Sequence, residues 1–223
     1  MFNTIAQDGP HLWERTFDDI VRDQQLDTTP AALRHAWNTG ADNFRDRRIE
    51  PGVPFVSYLE GWADAFDGAF RDLGLRGDGR AASQKSIDDL GQRELWEDSP
   101  EALNMICQNW RMGIVSNADD AYLNPVVARI EAPFGAVISS EGEQCYKPDA
   151  RMFRAACQRL GVAPSECVYV GDRQLEDVMG AHGVGMAAVW INRSGSAMDP
   201  ALPTPDAEIR NLLELPQVLE RLG

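Results

Sequence analysis

The stretch Val168-Tyr-Val-Gly-Asp172-Arg-Gln-Leu-Glu-Asp177-Val-Met-Gly-Ala holds two carboxylates in a setting that could do chemistry. An apolar β-type run stops at Gly171, Asp172 follows at once, and Asp177 comes where a helical pattern begins. A strand ending in Gly-Asp delivers a carboxylate to the carboxyl edge of a parallel sheet, where open α/β folds bind their ligands. Two carboxylates converging there repel unless a cation sits near them, and hard oxygen ligands suit Mg²⁺. The plainer alternative is an N-cap aspartate followed by an acidic first turn.

Two further segments fit the same edge. Met112-Gly-Ile-Val-Ser116-Asn117 is a short apolar run ending in a hydroxyl and an amide. Ala136-Val-Ile-Ser-Ser-Glu141 is another, and Tyr146-Lys147-Pro148-Asp149 follows it. In this order Ser116 could donate to a phosphoryl oxygen, Lys147 could neutralise its charge, and Asp172 could hold the metal. Phosphoryl transfer calls for such a set, because its catalysis is mostly positioning and charge stabilisation. Singly, Ser116-Asn117 reads as turn chemistry and Lys147 as a solvated surface lysine. The joint order favours a site.

These motifs resemble those of the haloacid dehalogenase (HAD) superfamily of hydrolases. Val-Ser116-Asn117 resembles its second motif, Lys147-Pro-Asp its third, and Gly171-Asp172 through Asp177-Val-Met-Gly-Ala its fourth. Gly183 to Trp190 and Pro205 to Leu215 resemble the strand and closing segment that follow. The resemblance covers residues 100–223 well and the earlier part in outline. It implies an α/β fold, a Rossmann-like parallel-sheet core with an inserted all-helical cap. It also implies catalytic roles for Lys147 and Ser116, phosphate binding by Ser116, Asn117 and Lys147, and Mg²⁺ on Asp172 and Asp177. The implied reaction is Mg²⁺-dependent hydrolysis of a small phosphorylated metabolite through an aspartyl-phosphate. Tyr146-Lys147-Pro148-Asp149 echoes the dehalogenase branch, which works without metal; the aspartate pair favours the phosphatase branch.

One motif of that family has no counterpart. The nucleophile is the first aspartate of an Asp-x-Asp-Gly-Thr-type sequence closing the first strand, and none is present. Met1-Phe2-Asn3-Thr4 looks like the residues just after that Gly-Thr, so the first core strand is expected to be missing. A rival register sets Ala6-Gln7-Asp8-Gly9-Pro10 on the motif, with alanine in the nucleophile's place. Either way the polypeptide is expected to be inactive, with Mg²⁺ binding weakened or absent. The alternatives are a non-catalytic relative that binds a phosphorylated ligand or a partner protein, and a 2-haloacid dehalogenase-type hydrolase.

The composition suits a soluble α/β protein. With 35 acidic against 21 basic residues and a formal charge of −14, the chain should repel nucleic acid and anionic membranes. No run of apolar residues is long enough to span a bilayer, and no leader is evident, so a cytoplasmic location is expected. The oligomeric state is not legible. Cys107, Cys145, Cys157 and Cys167 lack metal or redox spacing and read as reduced thiols.

The elements that would position these groups change texture near residue 100. Residues 10–98 read as a helical cap, with residues 1–9 a remnant of the link to it, and 99–223 as the Rossmann-like core. Helical patterns run from Pro10 to Leu26, from Pro30 through Phe44, from Val53 to Leu75, and from Arg80 to Leu95. Their aromatic stripe reads first as the cap's own core; Tyr58 and Trp62 are kept as substrate-facing candidates. A further helix starts at Ser99-Pro100. Strands are expected at Met112–Ser116, Ala136–Ser139, Cys167–Gly171 and Met186–Ile191. Helices are expected at Tyr122–Ile130, Ala150–Leu160, Leu175–His182 and Leu212–Leu222. Such alternation argues for a parallel sheet covered on both faces.

Overall fold

The computed structural model describes residues 1–222. The chain forms two compact units, one of residues 1–7, 94–117 and 126–223 and the other of residues 8–93 and 118–125. The helical segment is thus bounded at 8 and 93 rather than 10 and 98, and it takes in residues 118–125 as well.

The helical unit is built on α1 (Pro10–Asp23), α2 (Pro30–Arg47), α3 (Tyr58–Asp72) and α4 (Gly79–Gly91). Their starts are written in side chains. Pro10 and Pro30 occupy first-turn positions, where a missing N–H costs nothing. The Thr29, Ser57 and Asp78 side chains accept from Ala32 N, Glu60 N and Ala81 N. The helix expected from Val53 therefore begins only at Tyr58, after its Ser57 cap. Gly40 lets α2 approach α3, since a Cβ there would sit 2.8 Å from that of Ala65. The aromatic stripe closes into a core: Trp37 lies 5.4 Å from Trp13, 5.8 Å from Trp62 and 5.4 Å from Phe66, centroid to centroid. Phe17 and Phe66 are fully buried, each contributing about 2–3 kcal/mol of burial free energy.

The other unit is α/β. Helix α5 (Ser99–Ile106) precedes β1 (Gly113–Ser116); after α6 (Asp120–Val127), which belongs to the helical unit as far as Pro125, come β2 (Ala136–Ser139), α7 (Ser140–Glu143), α8 (Ala150–Leu160) and β3 (Val168–Gly171). Then come α9 (Met179–His182), β4 (Ala187–Ile191), β5 (Ala207–Ile209) and α10 (Leu215–Leu222). All strand pairs are parallel: β1 with β2, and β3-β4-β5 in that order. Period-two alternation along β4 explains the layering. Ala188 and Trp190 pack with Met152, Phe153, Ala156 and Cys157 of α8. Val189 and Ile191 face the other way, toward Ala102 and Ile106 of α5 and Val218 and Leu219 of α10. A parallel sheet buried on both faces demands this near-continuous apolar sequence.

The sheet is in two parts. Among the described residues no strand pairs β1 with β3, yet Val115 and Ile138 share a cluster with Ala188 and Trp190. Side chains rather than ladder hydrogen bonds join the halves. The Tyr169 hydroxyl of β3 donates to the Val115 carbonyl of β1 at 3.0 Å.

Local departures have local reasons. The helix expected over Leu175–His182 opens as a π-turn, Gln174–Val178, before α9; Asp177 N and Val178 N both donate to Arg173 O. The last helix is preceded by a 3₁₀ turn at Leu212–Glu214 that Asn211 caps. Strand β5, three residues with a polar centre at Glu208, carries too little apolar signal to be read from sequence. No helix among the described residues is long and apolar enough to cross a membrane.

Candidate functional site

The site lies in the α/β unit, at the carboxyl ends of β1 and β3. Ser116 is the last residue of β1, and Asp172 directly follows β3. Lys147, 5% exposed, donates from Nζ to Asp177 Oδ1 at 2.6 Å and to the Tyr169 hydroxyl at 2.9 Å. Burial alone would discharge this ammonium, but the Asp177 carboxylate beside it raises its pKa instead. Asp177 shows the converse: burial favours its neutral form, yet Lys147 holds it below the usual carboxylate range. Its second oxygen accepts Arg173 N at 2.9 Å. Gly171 makes this approach possible, because a Cβ there would overlap the Asp177 carboxyl group.

Asp172 sits differently. Burial, and then the negative charge of Asp177, push its carboxyl up to about 6. Thr4 Oγ1 donates to it at 3.3 Å, and its own carbonyl accepts Trp190 Nε1 at 2.9 Å. Thr4 is in turn held by Arg193, whose Nη2 donates to Thr4 O and to Asp98 Oδ1 at 2.9 Å each. The Met1 amine is buried in the same neighbourhood and is lowered to about 6, by burial and by Lys147.

Of the residues singled out from sequence, Lys147 and Asp177 are in direct contact, and Asp172 feels the charges of both. Asn117 is placed one layer back. Its Oδ1 accepts Lys147 N at 2.7 Å and its Nδ2 donates to Lys147 O at 3.2 Å, a reciprocal clamp on the lysine's peptide. Ser116 is 3% exposed and its hydroxyl makes no hydrogen bond to another described residue. Asp8 belongs to the helical unit, where it accepts Trp13 Nε1 at 2.9 Å and lies 3.9 Å from Arg93.

Tyr58 and Trp62 also belong to that unit. Their rings are 4.9 Å apart, and they are 9% and 8% exposed. Tyr58 N and Leu59 N donate to the two carboxylate oxygens of Asp119 at 2.9 Å each, so Tyr58 opens a helix that Asp119 caps. The Tyr58 hydroxyl accepts Arg48 Nη1 at 2.5 Å.

Sequence reasoning missed Tyr169, Thr4, Arg193 and Asp119. Tyr169 carried a usable signal as the one residue with a polar tip in the apolar run before Gly171. The others depend on contacts across 60 to 189 residues and leave no local pattern.

Relatives agree with the motifs. A family model described as haloacid dehalogenase-like hydrolase matches residues 1–185. The N-acylneuraminate-9-phosphatase of Rattus norvegicus is 30% identical over 136 residues, 60% of this chain and 55% of that protein. The (S)-2-haloacid dehalogenase of Pseudomonas sp. (strain YL) is 28% identical over 169 residues, 74% of this chain and 72% of that protein. The chain spans little more than half the length of the phosphatase it matches. Among solved structures, the putative HAD-hydrolase YfnB from Bacillus subtilis, bound to magnesium, superposes with a TM-score of 0.79 at 20% identity, covering 98% of this chain and 96% of that one. That likeness concerns the fold. With the family model covering most of its length, this chain belongs to the haloacid dehalogenase-like hydrolase family.

Proposed function

We propose that the α/β unit carries a phosphoryl-binding site of the Mg²⁺-dependent phosphatase type, directed at a small phosphorylated metabolite. Residues 1–223 supply no aspartate in the nucleophile's place. The observation that carries this reading is the buried Lys147–Asp177 pair with Asp172 beside it, at the edge where Ser116 ends β1. Lys147 supplies positive charge for a phosphoryl group, and Ser116 offers a hydroxyl that no other described residue takes up. Asn117 holds the lysine's backbone in place. The phosphatase among the relatives supports a phosphate ester as substrate.

The carboxylates fit Mg²⁺ in part. Asp172 carries a raised pKa, which a cation would relieve. Asp177 is committed to Lys147 and Arg173 N, and no cluster of three or more potential ligands exists among the described residues. Asp172 would hold the ion, with Asp177 supplying negative charge nearby, and Mg²⁺ keeps several waters in such sites. When bound, the ion would polarise a phosphoryl oxygen and offset its charge.

A non-catalytic reading has its own support. Both carboxylates of the cluster already have partners, Asp177 in Lys147 and Asp172 in Thr4, and neither is left over as a nucleophile. Calorimetry with Mg²⁺ and inorganic phosphate, and turnover of p-nitrophenyl phosphate and 2-chloropropionate, test these readings together. The expected result is weak Mg²⁺ binding, phosphate binding lost in Lys147→Met, and negligible turnover of either substrate. Halide release without metal would move the protein to the dehalogenase branch. Failure to bind phosphate at any Mg²⁺ concentration would remove the phosphoryl reading.

A further inference from the structure

The Lys147 ammonium has three N–H donors and no acceptor. Two of them are used, on Asp177 Oδ1 at 2.6 Å and on the Tyr169 hydroxyl at 2.9 Å. The direction of the second bond is forced. Tyr169 has one hydroxyl proton, and it goes to the Val115 carbonyl at 3.0 Å, so toward Lys147 the oxygen can only accept. The ring itself is held, meeting Phe153 edge to face at 4.9 Å.

Such a post matters because of the kind of cation lysine is. Its charge rides on a flexible four-carbon stem, and freezing that stem at the moment of ligand binding costs about 2 kcal/mol of rotamer entropy. Two fixed acceptors already restrict it, and tetrahedral geometry then sets where the third N–H points. The anchoring is also tied to the carboxyl end of β1 at two points. Val115 O orients Tyr169, and Asn117, two residues on, clamps the Lys147 peptide.

We propose that Tyr169 is a positioning residue of the anion site, its hydroxyl fixing the Lys147 ammonium so that the remaining N–H meets a phosphoryl oxygen. This inference rests on the phosphoryl-binding reading of Lys147 given above. The competing account is that Tyr169 only packs between β3 and α8 and gives β1 a hydrogen bond. Tyr169→Phe separates the two, since it keeps the ring and its contact with Phe153 and removes only the hydroxyl.

The test uses the full chain and inorganic phosphate as the probe, with Mg²⁺ present, titrated by calorimetry beside thermal unfolding of each variant. The dissociation constant for phosphate is expected to rise about tenfold in Tyr169→Phe, as for the loss of one hydrogen bond to a charged group. Lys147→Met should abolish binding. A Tyr169→Phe protein that binds phosphate within twofold of the unaltered chain, whatever its melting temperature, overturns the inference alone. Absence of phosphate binding by the unaltered chain overturns the site reading and the inference with it. Should Tyr169→Phe not fold, 3-fluorotyrosine incorporated at the four tyrosines gives a second readout by ¹⁹F NMR. The Tyr169 resonance, identified after Tyr58, Tyr122 and Tyr146 are each changed to Phe, should move with phosphate and saturate at the calorimetric dissociation constant. An unmoved resonance at saturation overturns the proposal.

Discussion

Lys147 and Asp177, thirty residues apart in sequence, meet at 2.6 Å with both side chains less than a tenth exposed. Neither charge would be tolerated there alone. Removing one partner of a buried pair strands the other charge and typically costs about 3–5 kcal/mol. Lys147→Met is therefore expected to lose stability of that order in urea unfolding. Lys147→Met combined with Asp177→Leu should recover most of the loss, because no charge is left stranded. A double variant as unstable as the sum of the singles would show that the two groups are not energetically coupled.

Asp172 predicts an unusual pH dependence. Burial and the neighbouring Asp177 charge raise its folded-state pKa to about 6, against about 3.9 in an unfolded chain. A carboxyl raised on folding favours the native state while protonated, and this contribution is lost as pH rises from about 4 through 6. Without divalent metal, Asp172→Asn should therefore stabilise the protein at pH 7 to 8, by as much as about 3 kcal/mol. The gain should vanish near pH 4. Urea titrations of both proteins across that range check it, and a gain independent of pH would assign the effect to something other than the charge.

In the helical unit, Asp119 accepts the first two N–H groups of α3, and Ser57 takes the third through Glu60 N. Helix ends leave such donors unsatisfied unless a side chain takes them. Asp119→Ala is expected to lower stability by about 1–2 kcal/mol, read as a fall in unfolding midpoint, whereas Asp64→Ala, at an exposed position of α3, should have a much smaller effect. Equal effects would mean the cap contributes little.

The parts legible in sequence were those with local patterns. Apolar runs of four to five residues located β1 to β4 to within a residue, and Pro10, Thr29-Pro30 and Ser99-Pro100 located three helix starts, whereas the Ser57 cap went unread and α3 was expected from Val53. Lys147 and Asp177 were found because each sits in a motif with a recognisable order. Their pairing was not legible: sequence read the two aspartates as partners, while in the structure Asp177 bonds to Lys147 and Asp172, beside that pair, accepts Thr4. The turn that aims Asp177 is a π-turn, a form that side-chain periodicity does not encode and that recurs at functional sites. Asn117 shows the same limit. An amide after a strand suits phosphate binding or backbone clamping equally well, and only the contact with Lys147 at both peptide atoms distinguishes them.

The last prediction concerns turnover. On the proposed reading the groups at this edge bind and polarise a phosphate ester, but the covalent step needs a further carboxylate, because Asp177 is bonded to Lys147 and Asp172 to Thr4. Losing a nucleophile from a catalytic set costs several orders of magnitude in rate. The 223-residue polypeptide is therefore expected to hydrolyse phosphomonoesters negligibly, with or without Mg²⁺. Among the described residues β1 pairs only with β2 and β3 only with β4, and their other edges give a direct way to restore the step. An apolar strand ending in Asp-x-Asp-Gly-Thr, joined ahead of Met1, could pair with both edges and deliver its first aspartate beside Asp172. That fusion should gain Mg²⁺-dependent release of phosphate from p-nitrophenyl phosphate, lost again in Asp172→Ala. It should also be the more stable protein, since unpaired strand edges are exposed hydrogen-bonding surface. Hydrolysis by the unextended chain that is sensitive to Asp8→Asn would place the reacting carboxylate at Asp8 instead. If the fusion and the original chain prove equally stable and equally inert, the non-catalytic reading is the correct one.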